Sequence, residues 1–221
     1  IRLSLVGSEM CIRDRDNTYR NILEVIGQLK TFDIDVKLYD QKLILNTFYD
    51  NNYIHLAADT TANAGDYILV RSLKKLVENF EQDIHWCTVD VRSSVTDGLI
   101  EACNKSKGVI LGGGGLFLCD TNRNDISGWQ WPISTEQINK IKTPLYVMGV
   151  GYNRFRGQQE FASCFWDNVN ALVKKSSFFG LRNHGSIEAI RGYLNNNLKE
   201  KVVYHPCATT CLLYTSPSPR D

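Results

Sequence analysis

The chain has 221 residues, 43% of them hydrophobic, and carries 25 Lys/Arg against 24 Asp/Glu. A balance this close to neutral argues against a nucleic-acid binder, which needs a basic face to displace counterions. No apolar run reaches the roughly 20 residues of a spanning helix, and the length suits one domain with its own core.

In chain order, the first feature is not a structural one. Residues 5–15 and 211–221 have no strand or helix period that continues into their neighbours. One set of codons for Leu5-Val6-Gly7-Ser8-Glu9-Met10-Cys11-Ile12-Arg13-Asp14, read on the opposite DNA strand in another frame, spells Cys211-Leu212-Leu213-Tyr214-Thr215-Ser216-Pro217-Ser218-Pro219-Arg220-Asp221. That string resembles a transposase-type sequencing adapter. The expectation is that 1–15 and 211–221 are adapter-derived, with 1–3 of uncertain origin, and that natural sequence runs from about Asp16 to Thr210. The alternative is a genuine Ser/Pro-rich tail. The two end segments hold four Lys/Arg and three Asp/Glu, leaving 21 of each sign between them.

Between Asp16 and Asn52, Leu23, Ile26 and Leu29 suggest one helix, and the rest is rich in Asp, Asn and Tyr. From Tyr53 onward strand-like and helix-like segments alternate. Residues 53–58 read as a strand and 60–65 as a loop. A helix follows with Leu69, Leu73, Leu76, Val77 and Phe80 on one face, and Asp66 is placed to cap it. Then come a strand at 84–89, a helix at 95–104 and a strand at 108–111 that ends in four glycines. Residues 144–150 form a strand, 161–175 a helix, 178–181 a strand, 186–195 a helix and 202–204 a last strand. Such alternation predicts right-handed βαβ units in one α/β domain: a Rossmann-like parallel sheet with helices on both faces.

Cys87, Cys103, Cys119, Cys164 and Cys207 form no C-x-x-C pair and match no zinc pattern. They read as buried structural thiols in a reducing compartment, with no metal site.

Ligands of an open parallel sheet bind outside the carboxyl ends of its strands, and four loops there carry unusual residues. In Asn63-Ala64-Gly65-Asp66 a glycine turn precedes a helix N-terminus whose N–H groups can meet an anion; an ordinary helix cap is the other reading. Gly112, Gly113, Gly114 and Gly115 suggest close approach of a ligand or positive φ angles, or else a tight bend at the sheet edge. They form neither a P-loop nor a dinucleotide fingerprint, because no Gly-Lys-Ser/Thr follows and the third glycine position is Phe117 or Leu118. Gly149-Val150-Gly151, followed by Tyr152-Asn153-Arg154, suits a loop that contacts a polar ligand. Arg182-Asn183-His184-Gly185-Ser186 places an Arg at a strand end, where its fork matches carboxylate or phosphate. A pairing of Arg182 with Glu188 is the alternative. His184 is either an acid/base or simply solvated, and His55, His85 and His205 read as structural.

Taken together, Asn63-x-Gly65-Asp66, the Gly112–Gly115 run with Asp120 after it, the strand ending in Met148-Gly149-Val150-Gly151, and Gly180-Leu181-Arg182 with Ser186 resemble the polysaccharide pyruvyl transferase family in order and spacing. The resemblance covers about Tyr53 to Cys207. It implies the N-terminal half of a GT-B-like two-domain fold. The implied activity is transfer of the enolpyruvyl group of phosphoenolpyruvate onto a sugar of a cell-surface polysaccharide, with formation of a pyruvate ketal. The partners it implies are phosphoenolpyruvate and a sugar or polysaccharide-precursor acceptor, with no cofactor. The location is cytoplasmic, or at the inner membrane surface. Arg182 best matches a family Arg that holds the donor, and Asn63, Gly65, Asp66, the four glycines, Gly149, Gly151 and Ser186 are carried over as substrate-binding. The sequence departs from the family at His205-Pro206-Cys207-Ala208, where an Asp-Pro-Ala-like strand end is usual. The family's catalytic His belongs to a second half expected beyond Thr210, so His55, His85, His184 and His205 inherit no role, and a chain without that half is expected to be inactive. The rivals are a GT-B-like glycosyltransferase, a non-catalytic carbohydrate-binding or assembly module and, more weakly, an NAD(P) enzyme.

Overall fold

The computed structural model describes residues 35–39, 42–46, 51–58, 63–154 and 157–210. The terminal blocks and the helix expected around Leu23, Ile26 and Leu29 lie outside the described residues. In the segment left unassigned by periodicity, β1 (Asp35–Tyr39) and β2 (Lys42–Asn46) pair antiparallel.

The main sheet has six parallel strands in the order β4-β3-β5-β6-β7-β8. They are β3 (Asn52–Ala57), β4 (His85–Asp90), β5 (Gly108–Phe117), β6 (Leu145–Tyr152), β7 (Phe178–Leu181) and β8 (Val202–Tyr204). The helices between them are α1 (Ala64–Glu78), α2 (Asp97–Lys105), α3 (Thr135–Lys140), α4 (Cys164–Lys175) and α5 (His184–Tyr193), with a 3₁₀ turn at Asn196–Lys201. This is the expected α/β, Rossmann-like architecture. From β3 the chain steps outward to β4, then returns to the other side of β3 for β5 and continues in that direction. The reversal makes the crevice between the loops after β3 and β5 the topological switch point of the sheet.

Side-chain alternation sends neighbouring residues of each strand to opposite faces. On the larger face Ile54, Leu56, Val109, Leu111, Val147, Val150 and Leu181 join one core with α2, α4 and α5. Its aromatic centre is closely packed, with Phe161 and Phe165 stacked at 4.1 Å and Phe117 4.9 Å from Trp129. Trp129 and Trp131 come from the long connection after β5, which the buried Asn168 pins. Asn168 accepts from the Trp129 indole at 2.7 Å and donates to the Ile133 carbonyl at 2.6 Å. On the other face Tyr53, Leu73, Ile110 and Ala208 form a small cluster beside α1.

Four local expectations change. The cap of α1 is Asn63, whose Oδ1 accepts from Gly65 N at 2.9 Å, while Asp66 sits in the first turn, where the helix dipole favours it. Phe80 does not continue the buried stripe of α1: the helix stops at Glu78 and Phe80 is 86% exposed. Strand β5 does not end at Leu111 but runs on through the glycines to Phe117. Up to Leu111 it lies between β3 and β6, whereas the glycines pair with β6 alone. Of the described cysteines only Cys103 is fully buried, and burial pushes its thiol up to about 12; Cys87, Cys119, Cys164 and Cys207 are half-buried. Among the described residues no helix is long and apolar enough to cross a membrane.

Candidate functional site

The carboxyl half of the sheet on the α1 side is paved with glycine. Gly113 and Gly114 have φ of 82° and 117°, values that L side chains rarely adopt, and the β5–β6 register shifts between Gly114 and Phe117. The turn lets the strand backbone slide under the start of α1. A Cβ on Gly113 would lie 3.6 Å from the backbone of Leu69 and Val70, and one on Gly114 would lie 3.3 Å from Asp66 Oδ1. The two expected loops, Asn63–Asp66 and the glycine run, therefore meet.

Further across the sheet, glycines make room for polar side chains that lie flat on the backbone. A Cβ on Gly115 would overlap the Asn153 amide, and one on Gly151 would overlap the Arg182 guanidinium. Arg182 leaves β7 with its backbone N–H on the Val150 carbonyl, and its Nη2 donates to Asn153 Oδ1 at 2.9 Å. Among the described residues its guanidinium forms no ion pair; the Glu188 alternative is not the arrangement seen. Gly149, with φ of 62°, and Gly180 do the same for His205: a Cβ on Gly180 would lie 2.5 Å from His205 Cβ, and one on Gly149 would lie 3.5 Å from Nδ1. Leu69, Leu73, Gly113, Met148, Gly149, His205 and Ala208 share one narrow recess between α1 and the segment after β8.

The remaining expected residues have mixed placements. Asn63 is occupied with capping and donates its Nδ2 to Asp66 Oδ2 at 2.9 Å. Ser186 is buried behind the strand ends, where its hydroxyl accepts from Tyr152 N at 2.9 Å and its own N–H caps onto Asn183 Oδ1. It braces the end of β6 rather than lining the floor. His184 stacks on the Tyr204 ring, with centroids 5.2 Å apart and planes 12° from parallel.

One side chain over the floor, Asn153, was missed by sequence reading, and His55 is structural, as expected. Asn153 belongs to the G-x-G-Tyr-Asn run, and its role depends on Gly115 of the neighbouring strand. His55 is fully buried in β3 and donates from Nε2 to the Gly112 carbonyl at 3.0 Å, because a carbonyl can only accept. Pairing between β3 and β5 stops at Leu56↔Leu111, so this side chain links the strands at the first residue of the glycine run. Burial lowers its pKa to about 4, and its Nδ1 has no partner. Among the described residues no group of three His, Cys, Asp or Glu is arranged to hold a metal.

Over this bare backbone lie the Arg182 guanidinium and the Asn153 amide, and the capped N-terminus of the 15-residue α1, with Asp66 in its first turn, meets the glycine run at Gly114. A family model described as polysaccharide pyruvyl transferase matches residues 63–221. The chain belongs to the polysaccharide pyruvyl transferase family. No curated protein and no solved structure matches it. In this family member every substrate-binding residue expected from the sequence lies inside the matched range, whereas β3 and His55 precede it.

Proposed function

We propose that this family member moves the enolpyruvyl group of phosphoenolpyruvate onto a sugar of a cell-surface polysaccharide, and that the glycine-paved floor is the donor-binding wall of the cleft. The reaction forms two C–O bonds from acceptor hydroxyls to C2 of the donor and breaks the C2–O bond to phosphate. One proton goes to the methylene carbon. Two protons leave the hydroxyls, one to replace it and one to depart with phosphate. Such a donor needs cationic and N–H groups for its phosphate and carboxylate, together with a proton source.

The observation that carries this reading is Arg182 lying across Gly151 with one edge held by Asn153. Held this way, the fork is pre-oriented over the floor rather than spent on a structural carboxylate. The remainder of the proposal keeps two readings of the terminal blocks, natural sequence at 16–210 and adapter-derived ends, and two that follow the family resemblance, a cytoplasmic setting and turnover that needs a second half to complete the cleft. The test is calorimetric titration of phosphoenolpyruvate into the chain and into Arg182→Lys. Losing a charge-assisted contact costs about 1.5–3 kcal/mol, so affinity should fall at least about tenfold with the circular dichroism unchanged. Equal affinities with a lowered melting temperature would make Arg182 a structural residue and remove the basis of the reading.

A further inference from the structure

We infer that His205 is the proton-carrying residue that this part of the enzyme presents to the donor; the inference rests on the donor reading above. Of the chain's four histidines, His205 alone lies over the glycine floor. His55 is buried and committed to Gly112, His85 begins the edge strand β4 at its amino end, and His184 lies on Tyr204.

The fold builds a seat for this imidazole. The His205 backbone N–H continues the ladder onto the Leu181 carbonyl at 2.9 Å, which fixes where the side chain starts. Gly180 on β7 leaves room for its Cβ and Gly149 on β6 for its ring, while Phe178 closes one side edge-on, with centroids 5.7 Å apart. Any larger residue at Gly180 would push the ring off the sheet. Gly149 and Gly151 are two residues apart at the carboxyl end of β6, and the side chains lying over them are His205 and Arg182, so an imidazole and a guanidinium share one strand end.

The tautomer is set as well. His205 Nδ1 lies 3.0 Å from the Pro206 carbonyl, which can only accept, so Nδ1 keeps its proton and Nε2 is the nitrogen left to take or give one. Protonated, Nε2 gives its proton to the methylene carbon of phosphoenolpyruvate; bare, it takes one from the acceptor hydroxyl as the C–O bond forms. The cycle balances with no further reactant. Among the described residues, Leu69 and Leu73 from α1, Met148 and Gly149 from β6 and Ala208 from its own segment share the recess with the ring, and Phe178 from β7 meets it edge-on. None of these groups is charged, so a bound anionic donor would give the imidazolium a charged partner.

The experiment is NMR titration of the four imidazoles in the labelled full chain, with and without saturating phosphoenolpyruvate. The expected result is a His205 ring protonated at Nδ1 whose proton affinity rises at least about threefold, half a pKa unit, when the donor binds. His85 and His184 should not move. The affinity for phosphoenolpyruvate should fall by the same factor as pH rises through that titration, and His205→Gln should abolish this pH dependence. If phosphoenolpyruvate binds in an Arg182-dependent way while His205 titrates unchanged, this inference fails and the donor site stands. If phosphoenolpyruvate does not bind at all, the donor reading fails and takes this inference with it.

Discussion

The two faces of the sheet are made from the same strands and are built to opposite specifications. On the α2–α5 face, Phe117, Trp129, Trp131, Phe165 and Phe179 are sealed from water and interlock. On the α1 face only Tyr53, Leu73, Ile110 and Ala208 are fully buried in the cluster, and toward the strand ends the side-chain layer gives way to glycine. Packing energy scales with apolar area removed from water, so stability is concentrated on the first face. That concentration frees the second to carry bare backbone, a flat-lying guanidinium and a flat-lying imidazole, none of which contributes much to a core.

The comparison can be broken in four ways, taken from the largest effect down. Phe165→Ala empties the middle of the aromatic cluster and should lower unfolding free energy by about 3–5 kcal/mol in urea titrations; a loss below about 1 kcal/mol would mean that face does not dominate. The second test is pH. His55 is neutral when folded, with a pKa near 4 against 6.5 unfolded, so between those values the unfolded chain binds more protons. Stability is therefore full above pH 6.5 and declines as pH falls toward 4, by on the order of 3 kcal/mol. Equilibrium unfolding at stepped pH should show this slope in the native chain and lose it in His55→Gln. Third, Gly151→Ala displaces the Arg182 side chain rather than backbone, so phosphoenolpyruvate affinity should drop roughly tenfold with little change in melting temperature. Gly112→Ala, whose Cβ would overlap the Met148 carbonyl, should instead lose stability of about 1–3 kcal/mol. Calorimetry beside thermal melts separates the two, and a matching pattern in both variants would erase the distinction between floor and frame. Last, Asn63→Ala removes the cap of α1 and should cost about 1 kcal/mol.

Much of the sheet was legible because its strands are short apolar runs flanked by turn residues: β3, β4, β6, β7 and β8 fall within two residues of where periodicity puts them, and β5 starts where expected. What failed did so for local reasons. Glycine is a poor strand former, so the continuation of β5 from Gly112 to Phe117 could not be seen without β6 beside it. Helix α3 is six residues long, too short for a period, although its Ser134/Gln137 capping box was there to be read. Trp129 and Trp131 lie in a connection with no period at all. The placement of Arg182 just after a strand was legible, as was that of the glycines. Asn153 and His205 were not, because each owes its place to glycines on other strands, and spacing along one chain does not reveal neighbours across a sheet.

Strand β3 has one more consequence, for how the domain can be cut. It precedes the family-matched range, which opens at residue 63, yet it is the strand that joins β4 to β5. Removing it would leave those two about 10 Å apart, twice the normal interstrand distance, and would take Ile54 and Leu56 from the core and His55 from Gly112. During synthesis β3 must also wait for its second partner, since Tyr53 pairs with Gly108, 55 residues later. An excised piece that folds must therefore begin ahead of Asn52, and a boundary drawn where family likeness starts would cut an internal strand out of a cooperative unit.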